Sequence, residues 1–586
     1  MDKKFDFKGS PSISFWKKIR IHPLFTLWRR NVLIFLLFLI LIFLSSLIIA
    51  SSISLYKTKS LYGNQFKNIF SIFNKNEYTV QFLQNYIIDS EKSLSPLIQD
   101  FKKALPEADY SYQQKNINNI EQILTNLKQF GESLPSLENS FNHFLENKSF
   151  DYFLNYLDKN EGTIIALSNN LEILFEKIEN GWLIPSKLKE VVYKIQPFSF
   201  ILKDISNDIK AIRNILGDNS PHTIIVWLQN SNEKRSTGGF IGSFLKIVMN
   251  DGKVDSSTFH DIYEFDGQIT EEFKAPNIAK TLVGDKSWSL RDSNYSPIFH
   301  ESAEAFMKLY EKAGGETVDT IIAIDNNLIE NLLEKIDSIK IPEKAIELNS
   351  KNFSFILSYI VESKLNNINP KQFLEDSIIP AISKKFFDSI SLDIIIKLIG
   401  EEKENIQMFS RKDSINKTSQ KFRLGKNIEE IFKDDSVIVI NQISISGNKS
   451  DAFIDQNFAI SESFENGKKI VKINIERSHN WSDKNENDID NLKKTFGKPN
   501  IPEYELRRIL GQGTNHALFQ LFLPENAKNF SIYPEEIKFN SWKENGKIIV
   551  EIDSPILTKK EKQEIRFTFY NPQSFTKNSY FLINKK

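Results

Sequence analysis

Residues 223–259 read TIIVWLQNSNEKRSTGGFIGSFLKIVMNDGKVDSSTF. The stretch 223–228 is a short, nearly continuous apolar run rich in β-branched side chains, which predicts a strand buried on both faces. A polar loop follows, and 240–249, FIGSFLKIVM, predicts a second strand. Asn250, Asp251 and Gly252 are residues that tolerate a tight turn, so 253–259 is expected to return as a hairpin partner. Beyond the hairpin, Ala303, Phe306, Met307, Tyr310 and Ala313 recur at helical spacing and stop at Gly314 and Gly315. A strand is predicted over 318–324, then a helix marked by Leu328, Ile329, Leu332, Leu333 and Ile336, then a short strand at 339–342. More helices are expected within 352–400. This alternation predicts an α/β domain over 219–400 with a mixed, partly parallel sheet.

On the N-terminal side, 56–218 reads as helical. Ile117, Ile120, Leu124, Leu127 and Phe130 form one apolar stripe, and Ile164, Leu167, Leu171, Leu174 and Ile178 a second. Ile201, Ile205, Ile209, Ile212 and Leu216 form a third, ending at Gly217, a good helix-stop residue. Such stripes are core-forming, so a helical bundle or stalk is expected. On the C-terminal side, 401–434 is rich in charge and Asn and reads as a connector. From 435 to 586 the pattern is strands (SVIVI, KIVKINI, HALFQLFL, KIIVEI, QEIRFTFY, SYFLI) separated by Gly, Asn and Pro, which predicts a β-sandwich-like domain. The acidic stretch 483–490, DKNENDID, lacks the central glycine of a calcium loop and is expected to be a solvated loop.

Residues 31–56 carry no charge, and 32–50 read VLIFLLFLILIFLSSLIIA. A helix of that length spans roughly 28 Å, close to a hydrocarbon core of about 30 Å. The rival, a cleaved signal peptide, has an apolar region of about 7–15 residues behind a short basic segment; here the run is longer and starts later. Lys17, Lys18, Arg20, Arg29 and Arg30 precede the run, whereas Lys57, Lys59 and Lys67 follow it. The expectation is therefore a cytoplasmic tail (1–31), one transmembrane helix (32–55), and a bulk that is extracytoplasmic at the cell membrane.

Composition removes several function classes. Lys+Arg and Asp+Glu are both 75, giving zero net charge, whereas a general nucleic-acid binder carries a basic excess. There is no cysteine, so thiol catalysis, disulfides and Cys-ligated zinc are excluded. None of the seven histidines falls in an H-x-x-x-H pair, and there is no G-x-S-x-G elbow.

The loop 229–239 stands out. It follows the first predicted strand and so lies at that strand's C-terminal end, where open α/β sheets bind ligands. Asn230, Glu233 and Arg235 lie in it, and Gly238 and Gly239 close it. Paired glycines let backbone N–H groups approach an anion, and an adjacent arginine grips phosphate or carboxylate with two parallel bonds. A tight turn carrying solvated charges is the other reading. A second cluster, WSLRDSNYSP at 288–297, contains Arg291, Asp292 and Asn294. Arg291 and Asp292 either bind an anion and a metal or pair with each other.

LQNSNEKRSTGGFIGSF, DGKVD, HDIYEFDG, WSLRDSNYSP and SAEAFMKLYEKAGGETVDTIIAID resemble domain-of-unknown-function family 4012, and ISGNKSDAFI (445–454) and YELRRIL (504–510) also fit. That family comprises bacterial membrane-anchored proteins with no established activity, so the resemblance implies an envelope location and supplies no reaction. A more distant likeness is to the LytR–CpsA–Psr family, which has one N-terminal membrane helix and an extracytoplasmic α/β domain. Its members move polyprenyl-pyrophosphate-linked glycopolymers to the cell wall. That likeness implies that Arg235 and Arg291 hold a pyrophosphate and that Asp292 helps hold Mg²⁺. Thr237 stands where that family has an aspartate. Two functions follow as expectations: an envelope interaction or scaffold protein with a glycopolymer, polyprenyl-phosphate lipid or envelope protein as partner, or a phosphotransferase. A sensor is disfavoured because the cytoplasmic tail is too short for a signalling domain.

Overall fold

The computed structural model of the chain describes residues 110–147, 149–179, 204–284, 286–336, 346–365, 405–421, 428–434, 437–465 and 468–571, with short pieces between and after them. The apolar run 32–50, with the tail and transmembrane readings, lies outside these residues. Among the described residues no helix is long and apolar enough to cross a membrane.

Four of the predicted strands, joined by one that was not predicted (β7), form a five-stranded mixed sheet in the order β3-β2-β1-β4-β7. Its members are β1 (His222–Asn230), β2 (Phe240–Asn250), β3 (Lys253–Asp261), β4 (Thr320–Asp325) and β7 (Gln407–Ser410). β1 runs parallel to β4 and antiparallel to β2, and the β2–β3 hairpin turns at Asp251 and Gly252, both at positive φ. The apolar run of β1 is explained by its two buried faces. Ile224 and Val226 join the core on the side of the N-terminal helices, while Ile225 and Trp227 face the other way. Each such buried aliphatic side chain contributes about 1.5–3 kcal/mol.

Three helices cover the first face: α1 (Tyr110–Asn147), α2 (Asp151–Glu179) and α3 (Ile205–Ile215). The junction between α1 and α2 sits on the hairpin turn, with the Phe150 N–H donating to Gly252 O at 2.9 Å. Arg213 of α3 ties α2 to the sheet's lower end through Asp158 (2.8 Å), Glu161 (2.9 Å) and Asp218 (2.6 Å). The helix α4 (Phe299–Lys312) covers the second face through Ala303, Phe306, Met307 and Tyr310. Beyond β4 come α5 (Asn326–Ile336), a two-stranded hairpin of β5 (Ile339–Ile341) and β6 (Ile346–Leu348), and α6 (Phe353–Glu362).

The reading of 401–434 as a connector is corrected. β7 lies inside it and pairs antiparallel with β4 as an edge of the central sheet, and α7 (Asp413–Lys421) follows directly. Asn416 of α7 caps that edge: its side chain accepts from the Ser410 N–H at 2.8 Å and donates to the Ser410 carbonyl at 2.6 Å. An edge whose polar groups are satisfied in this way is protected from pairing with another chain.

The C-terminal part contains two sheets. One has the order β13-β14-β11-β8-β16, from β8 (Ile438–Ser444), β11 (Ala517–Pro524), β13 (Phe539–Glu544), β14 (Lys547–Asp553) and β16 (Tyr580–Leu582). The other has the order β12-β15-β10-β9, from β9 (Ile454–Glu465), β10 (Lys468–His479), β12 (Lys528–Tyr533) and β15 (Lys562–Tyr570). Ile440, Phe519, Leu521 and Val550 of the first meet Phe458, Ile473, Ile565 and Phe567 of the second in one apolar core. The first sheet's outer face packs on the α/β part, where Val439, Phe522 and Ile549 meet Ile278 and Tyr295.

A second correction concerns 483–490. It is not a loop but the first half of α8 (Asp483–Phe496), started by a capping box between Ser482 and Asn485. Ile489, Leu492 and Phe496 bury one face of this helix in the core shared with the N-terminal helices.

Candidate functional site

The loop 231–239 leaves β1 at the C-terminal ends of the parallel pair β1 and β4, and there it is covered by the sandwich rather than open. Arg235 is only 6 % exposed, and Lys234, Ser236 and Thr237 are also buried. The Ser444 N–H donates to Lys234 O at 2.9 Å, and the Arg235 guanidinium donates to Ser444 O at 2.8 Å and to Lys234 O at 3.2 Å. Two residues of the loop thus complete the end of β8. A ring of bonds closes behind them. The Lys234 N–H donates to Asp451 Oδ2 at 3.0 Å, and Lys234 Nζ donates to Gln442 Oε1 at 3.1 Å. Gln456 donates to that same oxygen at 2.8 Å, and Arg477 donates to Gln456 at 3.2 Å and also to Asn515. Asn515 donates back to Asp451 at 2.9 Å. Burial lowers the pKa of Arg477 to about 10, partly offset by Asp451, and leaves it charged at neutral pH.

The other predicted loop residues serve the same packing. Asn230 accepts the Asn232 N–H at 3.1 Å through its side chain, and Glu233 pairs with Arg235 at 3.2 Å. The Gly238 N–H donates to Arg235 O at 3.0 Å within the turn. A Cβ on Gly239 would lie 2.2 Å from Asn230 O, so this position requires glycine for close chain approach. Asn294 is fully buried and donates to Thr237 Oγ1 at 3.1 Å and to Gly239 O at 2.8 Å. Ser236 donates to Tyr295 O at 2.6 Å and accepts from Asn441 at 2.9 Å.

Arg291 and Asp292 lie on a 3-10 turn (Leu290–Asp292), against the short helix Tyr263–Asp266 that follows β3. β3 ends where β2 begins, so Arg291 and Arg235 belong to the same end of the sheet. Their settings differ. The Arg291 guanidinium is partly open, stacked 5.4 Å over the Tyr263 ring, 3.3 Å from Asp266 and 3.6 Å from Asp292. Burial raises the pKa of Asp266, and the nearby Arg291 opposes that rise. Asp266 lies between the two sequence clusters in the HDIYEFDG segment quoted above, and Tyr263 of the same segment is the member that sequence reasoning missed.

Residues 219–360 match the model of a family described as Protein of unknown function (DUF4012). This segment is a DUF4012 domain. It holds β1 through most of α6, and the loop and turn just described are both within it. Asp451 and Ser444 lie outside the DUF4012 match yet complete its loop. No curated protein matches the chain. Two solved structures are similar to part of it. The Lin1025 protein from Listeria innocua is 14% identical and covers 47% of this chain and 98% of its own, with a TM-score of 0.20. Lmo1026 from Listeria monocytogenes, a fragment of residues 52–321, is 13% identical and covers 47% and 97%, with a TM-score of 0.18. TM-scores this low transfer neither fold nor role to this chain.

The Mg²⁺ expectation at Asp292 was tested against the donor set. Asp292 and Asp266 both pair with the Arg291 guanidinium that lies between them, and among the described residues no group of three His, Asp or Glu side chains is placed to hold a metal ion. A magnesium ion at Asp292 would compete with the ion pair to Arg291.

Proposed function

We propose that this chain is a single-pass, membrane-anchored, extracytoplasmic envelope protein whose role is interaction or scaffolding. The uncharged run 31–56 supports the anchor. The observation that carries the scaffold reading is the burial of Arg235 between the DUF4012 domain and the sandwich. Its donors reach Ser444 O and Glu233, so the motif-rich loop acts as a strut that fixes two modules to each other. A multi-module body on a tether presents its surfaces outside the membrane, with a glycopolymer or an envelope protein as its partner.

The absence of cysteine gives a direct test of topology. Single-cysteine variants Ser10→Cys in the tail and Lys543→Cys on the exposed side of β13 are treated with a membrane-impermeant maleimide on intact cells or spheroplasts. Lys543→Cys labels from outside, and Ser10→Cys labels only after permeabilisation. Labelling of Ser10→Cys alone from outside refutes the proposed orientation, and soluble release of the chain refutes the anchor.

The second reading is a transferase of polyprenyl-pyrophosphate-linked glycopolymers. It is favoured by one observation, that Arg235 and Arg291 lie at the same end of the sheet. It requires Arg235 to leave its partners on β8 and Asp292 to part from Arg291.

A further inference from the structure

We propose that the outward surface formed by Tyr263 and Arg291, with Asp266 buried beneath them, is a subsite for one ring of a neutral, hydroxyl-rich glycan. This deepens the scaffold reading above and rests on it, since it names the ligand chemistry at the exposed end of the DUF4012 domain.

The surface is built on rigid supports. Ile262 and Leu290 are both fully buried, and each immediately precedes an outward residue, Tyr263 and Arg291. The Ile262 N–H donates to Gly242 O at 3.2 Å, which pins the short helix to β2. The Arg291 N–H donates to Asp266 Oδ1 at 3.3 Å, which pins the 3-10 turn to that helix. Trp288 Nε1 donates to Asp292 O at 3.1 Å and closes the turn from behind. Ordering cost on binding is therefore small.

The chemistry matches a sugar. A pyranose offers a flat C–H face and a row of hydroxyls that both donate and accept. Tyr263 is 55 % exposed and presents a ring to the C–H face. The Arg291 side chain, 34 % exposed, lies 5.4 Å over one face of that ring, leaves the other face to the sugar, and offers fixed N–H donors at the ring's margin. The Asp266 side chain is only 7 % exposed and pairs with the guanidinium at 3.3 Å, so it fixes the direction of those donors from beneath and does not itself meet the sugar.

Charge selects among ligands. Arg291 sits between Asp266 and Asp292, and Asp261 and Glu264 lie on the same short segment. The neighbourhood is acidic overall, so a phosphate or pyrophosphate would be repelled where a neutral polyol would not.

The test uses the full chain in detergent micelles, with chitotetraose and cellotetraose as probes, read by titration calorimetry and saturation-transfer NMR. At least one sugar is expected to bind saturably. Tyr263→Ala and Arg291→Ala each weaken that binding about tenfold or more, Tyr263→Phe retains it, and sodium pyrophosphate does not compete. No saturable binding by either sugar overturns the proposal, as does binding that Tyr263→Ala leaves unchanged or that pyrophosphate displaces. Tyr263 and Arg291 are surface residues, and circular dichroism of each variant confirms folding. The maleimide labelling is independent, so a chain that labels as expected yet binds no sugar loses this subsite and keeps the scaffold reading.

Discussion

The main-chain N–H of Lys234 donates to the carboxylate of Asp451 at 3.0 Å across 217 positions of sequence. Asp451 also accepts from Asn515 at 2.9 Å, so one buried carboxylate holds a loop of the DUF4012 domain and a turn of the sandwich. Asp451→Ala strands both donors in a dry interface, and about 2–3 kcal/mol of stability is expected to be lost. Asp451→Asn keeps the shape and one acceptor oxygen, so it is expected to cost less. Chemical denaturation of the two variants checks the ranking. Equal stability of Asp451→Ala and the parent would mean that the modules do not depend on this joint.

Two glycines near the same loop make a matched pair. A Cβ at Gly239 would stand 2.2 Å from Asn230 O and 2.5 Å from Ser231 N, both backbone atoms that cannot move aside. At Gly267 the nearest atom is Tyr263 O at 3.9 Å, and φ is an ordinary −71°. Gly239→Ala is therefore expected to abolish folding or to cost about 4 kcal/mol or more, and Gly267→Ala to stay within about 0.5 kcal/mol. Soluble yield and thermal midpoint read both.

His222 begins β1, fully enclosed, with Nε2 2.8 Å from Thr320 Oγ1. Burial lowers its pKa to about 4, against a partial rise from Asp319. A histidine whose folded pKa is depressed stabilises the fold above its unfolded value near 6.5 and loses that contribution as pH falls toward 4. Between those limits the parent is expected to lose stability at up to about 1.4 kcal/mol per pH unit relative to His222→Gln. Denaturation midpoints of the two chains from pH 7 to pH 4 give the difference. Parallel curves would remove His222 as the cause.

What could be read from the sequence depended on whether an element's reason for forming was local. β1 through β3 were readable because apolar runs and an Asn-Asp-Gly turn state their own geometry, and the stripe of α4 ends at paired glycines. β7 was not readable: Gln407 to Ser410 is short and lies among charged residues, and it is a strand because β4 pairs with it and Asn416 caps it. α8 did carry a local signal, a Ser482–Asn485 cap with Ile489, Leu492 and Phe496 behind it, which the acidic composition of 483–490 outweighed. The loop 229–239 stands out in the sequence through its charges and paired glycines. Its orientation was beyond reach, because a basic loop facing solvent and one facing another module look alike when the partners, Asp451 and Ser444, are more than two hundred positions away.

Arg235 separates the two functional readings through a single residue. Its guanidinium donates to Ser444 O at 2.8 Å and pairs with Glu233 at 3.2 Å, with Phe240 beneath it at 5.3 Å. Arg235→Ala removes the charge from a buried pair and leaves Glu233 uncompensated, a change that costs about 3 kcal/mol or more. Arg235→Lys keeps the charge but loses the planar fork that reaches both partners, so it is expected to recover only part of that loss. If Arg235 instead grips a pyrophosphate, both substitutions abolish pyrophosphate binding while the thermal midpoint stays within a degree or so of the parent. A large fall in midpoint for Arg235→Ala, with partial rescue by Arg235→Lys, identifies a strut. Any cellular defect of Arg235→Ala then follows from a loosened joint, and it says nothing about a lost ligand.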